Sequence, residues 1–148
     1  MMKAIWTLAL ALSVIAGCTA RAGESVDDAE ATKDPGYTIA TVVAPAPVKK
    51  GTEAKLEITI TPKAPWVLKT STPLKINLAA SAGVKLDKTT LKADDIANPD
   101  GTAKVVGTAL TAESTGEKSI HGDLSFFLCT DQICQRFQDT TETGFVVE

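Results

Sequence analysis

The sequence predicts an all-β domain over residues 37–148, folded as an antiparallel β-sandwich. Apolar residues alternate with polar ones in short runs, which is the pattern of strands with one buried face. Turn signals rich in Pro, Gly and Asn separate the runs. Seven or eight such runs and no long amphipathic helix are found. We therefore expect an immunoglobulin-like sandwich with a cysteine-bearing hairpin at one end.

The clearest strand is Ala54–Ile60, whose Leu and Ile residues share one face while polar residues occupy the other. Weaker or shorter versions of the pattern predict further strands at 38–43, 74–78, 84–86, 103–110, 120–129 and 137–147. Residues 91–97 are expected to make one helical turn. The turns between strands are predicted at 45–47, 62–65, 82–83, 98–101 and 114–116.

Residues 1–17 have the form of a secretory signal, because Lys3 precedes an apolar run, Ala4–Ala16, that is shorter than a membrane span. The run ends in Ile15-Ala16-Gly17-Cys18, which resembles the bacterial lipobox. In that motif the signal is cleaved before the cysteine, which then carries lipid. We therefore predict a lipoprotein signal peptide over residues 1–17 and a lipid on Cys18. The alternative is an ordinary signal peptide with an incidental cysteine near its cleavage site.

Residues 18–36 are small, polar and acidic with no apolar period, so they are predicted to be a flexible tether between the lipid and the domain. Cleavage would remove Lys3, one of 15 basic residues, and leave 14 against 18 acidic residues, a net charge of −4. This mild acidity without a basic cluster argues against a nucleic-acid partner. Thr19, in place of an Asp after Cys18, favours the outer membrane over the inner one.

With Cys18 assigned to lipid, Cys129 and Cys134 remain as a pair in an oxidising compartment, where disulfides form. Four residues separate them, so Cys129 can end one strand and Cys134 can begin the return strand. Residues facing each other across such strands lie within the distance that a disulfide closes.

The spacing of the two cysteines leaves three alternatives open: a structural disulfide, a redox-active dithiol, or a metal site. Spacing alone favours the structural disulfide, although a loop of about six residues would contribute only about 2 kcal/mol by the chain-entropy relation. A metal site is the weakest alternative, because a closed zinc site needs four ligands and only Asp131 and His121 lie nearby in sequence.

The run Gly122–Cys134 contains an apolar strand, a cysteine, a short acidic loop and a second cysteine. It resembles the signature of the N-terminal domain of the DsbD thiol:disulfide interchange protein family. Trp66–Leu78, followed by Ala82–Leu86, is similar to that family's aromatic-then-Pro segment and the strand after it. The resemblance covers residues 37–147.

The resemblance implies an immunoglobulin-like sandwich with a redox-active pair, Cys129 and Cys134, on a hairpin covered by a mobile loop. It implies that Cys134 attacks the partner or is attacked by it, and that Cys129 resolves the mixed disulfide. Trp66 is a candidate for the aromatic cap over the pair, the alternative being a core tryptophan. A cap is useful because a reactive dithiol must be hidden from the wrong partners.

We therefore expect a monomeric, lipid-anchored thiol:disulfide exchange module of the bacterial envelope that faces the periplasm. It needs no cofactor, and its partner is a thioredoxin-like or other periplasmic redox protein. The alternative function is a non-catalytic sandwich lipoprotein that binds another envelope protein and keeps the pair as a static bridge. The sequence has no glycine-rich phosphate loop and no Gly-x-Ser-x-Gly elbow, which argues against other enzyme classes.

Overall fold

Eight strands and one 3₁₀ turn follow one another in the computed structural model, which describes residues 34–148. The strands are β1 (Tyr37–Ala44), β2 (Glu53–Pro62), β3 (Lys75–Ala80), β4 (Val84–Leu86), β5 (Thr90–Lys92), β6 (Lys104–Ala112), β7 (Gly116–Cys129) and β8 (Cys134–Val147), and the 3₁₀ turn is Ala93–Asp95. The predicted signal peptide, the predicted lipidation site Cys18 and most of the predicted tether lie outside the described residues.

The strands form two four-stranded antiparallel sheets, ordered β1-β2-β6-β4 and β5-β3-β7-β8. This arrangement corresponds to the A-B-E-D and C-F-G sheets of an immunoglobulin domain, with β5 added beside β3. The predicted immunoglobulin-like sandwich is therefore confirmed. In these terms β7 and β8 are the F–G hairpin, and β8 is an edge strand.

The core lies between the two sheets and is mainly aliphatic. In β2 the predicted inward face is confirmed, since Leu56, Ile58 and Ile60 are fully buried. Ile76 of β3 and Phe126 of β7 are equally buried in the other sheet. Burial alternates along each of these strands, so the period-two pattern of the sequence gives the facing layers of the sandwich.

The prediction of a helical turn over 91–97 is wrong at its start. Leu91 belongs to β5, where it pairs with Ile76 and is fully buried, and only Ala93–Asp95 forms a 3₁₀ turn. A strand of three residues is too short to show an alternating pattern, so its existence depends on the neighbouring strand. The hairpin strand β8 begins at Cys134, as the spacing of the cysteines predicted, and is therefore longer than the run 137–147 that the alternation indicated.

The chain before β1 is held to the sandwich by Lys63. Its ammonium lies 2.6 Å from the Asp34 carboxylate, and its main-chain N–H donates to the Gly36 carbonyl at 2.8 Å. The ion pair holds the pKa of Asp34 below its usual value. Among residues 34–148, no helix has the length and apolar character needed to cross a membrane.

Candidate functional site

The two cysteines predicted to face each other do so at the end of the β7–β8 hairpin. Cys129 is the last residue of β7, Cys134 is the first of β8, and they are register partners. Their Cα atoms are 4.0 Å apart and their side chains form a disulfide. The predicted hairpin and its disulfide are thus present, and the two residues predicted as the redox pair lie together.

The turn between the cysteines is organised by Thr130. Its main-chain N–H donates to the Ile133 carbonyl at 2.7 Å. Its hydroxyl oxygen accepts hydrogen bonds from the N–H groups of Gln132 and Ile133, at 3.3 and 3.2 Å. A hydroxyl that satisfies turn N–H groups in this way stabilises a tight reversal of the chain. The turn therefore keeps the ends of β7 and β8 together.

The surroundings of the two sulfur-bearing residues are unequal. Cys129 is 1% exposed, and Val67 pairs with it on the side away from β8 through two main-chain hydrogen bonds of 2.9 Å. Cys134 is exposed at the outer strand of the sheet. The pair therefore has one covered and one open side, and the covering segment comes from the chain after β2.

Trp66, the predicted cap, precedes Val67 and is half-buried. Its ring packs edge to face on Phe137, with centroids 5.5 Å apart. Phe137 also contacts Tyr37, and strand alternation puts Phe137 on the face of β8 opposite that of Cys134. Trp66 thus anchors the segment that covers Cys129, and its role as a cap stays a prediction.

Tyr37 links this aromatic group to the edge strand. Its hydroxyl donates to Asp139 of β8 at 3.0 Å. Burial, together with this hydrogen bond to a carboxylate, raises the pKa of Tyr37 to about 12. The tyrosine therefore stays neutral throughout the physiological pH range and holds β1 against β8.

One cation lies on the same strand as Cys134. Arg136 is two residues along β8, so strand alternation puts it on the face of Cys134, and its Nε donates to Ser125 at 3.0 Å. Asp131 lies exposed in the turn. His121 is exposed in β7, 3.2 Å from Asp123. Within residues 34–148, no three His, Cys, Asp or Glu side chains are grouped as a metal site would require.

Two exposed apolar side chains flank the disulfide. Ile133 is 59% exposed and Val67 is 51% exposed, and each adjoins one cysteine, Ile133 in sequence and Val67 through main-chain pairing. The sequence contains no local signal for the pairing of Val67 with Cys129, because the two residues are distant in the chain.

The chain matches no family model and no curated protein. Three solved structures match about three quarters of this chain at low sequence identity. A cohesin module of a Clostridium perfringens family 33 glycoside hydrolase is 9% identical, with a TM-score of 0.45, and the match covers 75% of this chain and 96% of the module. The fimbrial subunit AggA of Escherichia coli is 12% identical, with a TM-score of 0.31, over 76% of this chain and 95% of the subunit.

The third structure is the native conformation of Escherichia coli alpha-2-macroglobulin, which is 15% identical with a TM-score of 0.43. The match covers 74% of this chain and only 6% of the macroglobulin.

Proposed function

We propose that this chain is a thiol:disulfide exchange module, a stand-alone relative of the DsbD N-terminal domain, in which Cys129 and Cys134 pass two electrons to or from a partner oxidoreductase. The observation that carries the proposal is the unequal cover of the pair: Cys134 is exposed at a sheet edge, whereas Cys129 is 1% exposed behind Val67. An exchange protein needs one sulfur that a partner can reach and a second that stays in place to resolve the mixed disulfide.

The reaction proposed here moves two electrons in two exchanges. A partner thiolate attacks the Cys134 sulfur, the Cys129–Cys134 bond breaks, and Cys129 leaves as a thiolate. A second partner thiolate then attacks the partner's own sulfur in the mixed disulfide and releases the Cys134 thiolate. The partner dithiol is oxidised to a disulfide, the pair here is reduced, and the thiolates take up protons from water. The reverse sequence transfers electrons in the other direction.

The position of the disulfide across two strands supports the assignment of roles. Thiolate attack is in line, so the nucleophile approaches Cys134 from the side opposite Cys129, which is the free edge of β8. The equivalent approach to Cys129 lies on the side of β7 where Val67 is paired. We therefore assign contact with the partner to Cys134 and resolution to Cys129.

The cellular setting in this proposal follows from the N-terminal sequence. A lipid on Cys18 and the polar stretch after it would hold the module at the envelope membrane, facing the periplasm, with the outer membrane favoured. The partner is a thioredoxin-like or other periplasmic redox protein, and Trp66 is proposed to contribute to the cover of the pair. The exposed Ile133 and Val67 supply an apolar rim for that partner.

A non-catalytic envelope lipoprotein with a static bridge is the second candidate. The observation that favours it is the rigid setting of Cys129, since Val67 holds its main chain on both the N–H and the C=O. A bridge fixed in this way stabilises the hairpin whether or not a partner reacts with it.

The test that separates the two functions is the equilibrium reduction potential of the pair. We would equilibrate the full-length chain in glutathione buffers and count its free thiols by mass after alkylation. The Cys18→Ser substitution ensures that only Cys129 and Cys134 contribute thiols. A potential between about −180 and −270 mV is expected for an exchange protein. A value below about −300 mV would identify a structural bridge and overturn the exchange proposal in favour of the second candidate.

A further inference from the structure

We propose that the free edge of β8 beside Cys134 binds an extended, cysteine-bearing segment of the redox partner as an added antiparallel strand. This inference rests on the proposed exchange function and names how the partner is recognised. Strand addition supplies main-chain hydrogen bonds that do not depend on the partner's side chains, and it fixes the position of the partner's cysteine relative to Cys134.

The main chain of Cys134 points to the free edge. Cys129 directs its N–H and C=O to Val67, away from β8. Cys129 and its register partner Cys134 are therefore a non-hydrogen-bonded pair of the antiparallel ladder. Hydrogen-bonded and non-hydrogen-bonded pairs alternate along such a ladder, so every second residue of β8 from Cys134 onward belongs to a non-hydrogen-bonded pair. The N–H and C=O of Cys134, Arg136 and Gln138 are therefore directed outward, and among residues 34–148 no hydrogen-bond partner is found for them.

Part of the remaining edge is occupied. The outward N–H of Thr140 is taken by its neighbour, the Asp139 carboxylate, at 2.8 Å. Farther along, the Val146 carbonyl accepts from Val48 at 3.0 Å. Natural sheets protect their edges in such ways, because a free row of N–H and C=O groups pairs readily with another chain. The stretch from Cys134 to Gln138 has no such protection among residues 34–148.

The geometry of strand addition suits the exchange reaction. A residue opposite Cys134 in the added strand would form a hydrogen-bonded pair with it, with Cα atoms about 5.5 Å apart, inside the range that a disulfide spans. A cysteine at that place approaches the Cys134 sulfur from the side opposite Cys129, as in-line attack requires. The guanidinium of Arg136, on the same face, favours the approach of a thiolate. The attack forms the mixed disulfide with Cys134 and releases the Cys129 thiolate.

The experiment measures how fast a reduced peptide opens the disulfide of the full-length Cys18→Ser chain in detergent. The probe is the blocked hexapeptide Thr-Val-Thr-Val-Cys-Thr, read out as mixed disulfide by mass spectrometry. In the antiparallel register the N–H two residues before its cysteine faces Arg136, whereas the N–H one residue before it faces away. We expect a methyl group on the nitrogen two residues before the cysteine to slow the reaction about fivefold or more, because it removes the hydrogen bond to Arg136. A methyl group on the nitrogen one residue before the cysteine should leave the rate within about twofold.

Variants of the chain test the same edge from the other side. Gln138→Pro removes an outward N–H group and no hydrogen bond to β7. We expect it to lower the rate at which the peptide opens the disulfide about fivefold, and to leave the rate with the small thiol glutathione unchanged. Glu142→Pro is the matched control, since its N–H also points outward but lies far from Cys134; it should leave both rates unchanged. Circular dichroism confirms that both variants are folded.

Three results would count against these proposals in distinguishable ways. Equal rates for all three peptides, with glutathione reacting normally, would overturn strand addition and leave the exchange function standing. A dimer of the full-length chain that Gln138→Pro dissociates would show that a second copy occupies the edge, which also overturns it. Failure of Cys134 to react with glutathione or with any peptide would overturn the exchange function itself.

Discussion

At the scale of single residues, Tyr37 has the most strongly shifted ionisation in the described part of the chain. Burial and the hydrogen bond to Asp139 both favour the neutral phenol, so the pKa of Tyr37 rises from 10.0 to about 12. Because the folded-state pKa is the higher one, the fold binds the phenolic proton more tightly than the unfolded chain does. The stability that this provides is fully present below about pH 10 and is lost as the pH rises through about 12.

Tyr37 is the single tyrosine of the chain, so its ionisation can be followed directly by tyrosinate absorbance. We expect one transition near pH 12 in the native protein and one near pH 10 in urea. Asp139→Asn should lower the native value only in part, because burial is the larger cause and remains. An Asp139→Asn variant with the same native transition as the wild-type protein would contradict the contact between Tyr37 and Asp139, and a wild-type transition near the urea value would contradict the burial of Tyr37 as well.

At the scale of elements, the segment between β2 and β3 controls the cover of Cys129. Val67 pairs with Cys129, and the preceding Trp66 packs against Phe137 and close to Gly36. A Cβ atom on Gly36 would lie 2.5 Å from the indole ring, which no real contact tolerates. The absence of a side chain at Gly36 therefore allows Trp66 to sit where it holds the covering segment.

Gly36→Ala is expected to destabilise the protein more than Gly51→Ala. Both glycines have positive φ, 83° and 73°, so both variants lose about 1 kcal/mol or more to backbone strain. Only the Gly36 variant must also displace Trp66, since nothing lies within 4 Å of a Cβ at Gly51. Urea unfolding should therefore give a cost for Gly36→Ala at least about 1 kcal/mol larger. Equal costs would mean that the contact with Trp66 contributes nothing.

The elements also show which features could be predicted from the sequence. The alternation in β2 and the four-residue turn between the cysteines are local signals, and both predicted the observed geometry. The pairing of Val67 with Cys129 and the short strand β5 depend on residues distant in the chain, so no local pattern indicated them. The unequal cover of the two cysteines follows from that distant pairing, so the spacing of the cysteines could not indicate it.

At the scale of the whole molecule, the disulfide lies at the end of the β7–β8 hairpin. The largest buried side chains, among them Leu56, Ile76 and Phe126, belong to both sheets and pack between them. The bond joins two residues that are already adjacent in a hairpin of 14 paired positions. A domain built in this way can stay folded in both redox states, which an exchange protein requires.

We expect the reduced protein to remain folded and to be less stable than the oxidised protein by about 2 kcal/mol, the chain-entropy value for a loop of about six residues. Urea unfolding of the two forms measures this difference. Linkage requires the potential of the folded pair to be lower than that of the unfolded chain by the same free energy, about 45 mV for two electrons. Potentials measured in buffer and in urea therefore check the unfolding data independently. A reduced form that is unfolded would show that the bridge holds the sandwich together, and the pair could not cycle between its two states.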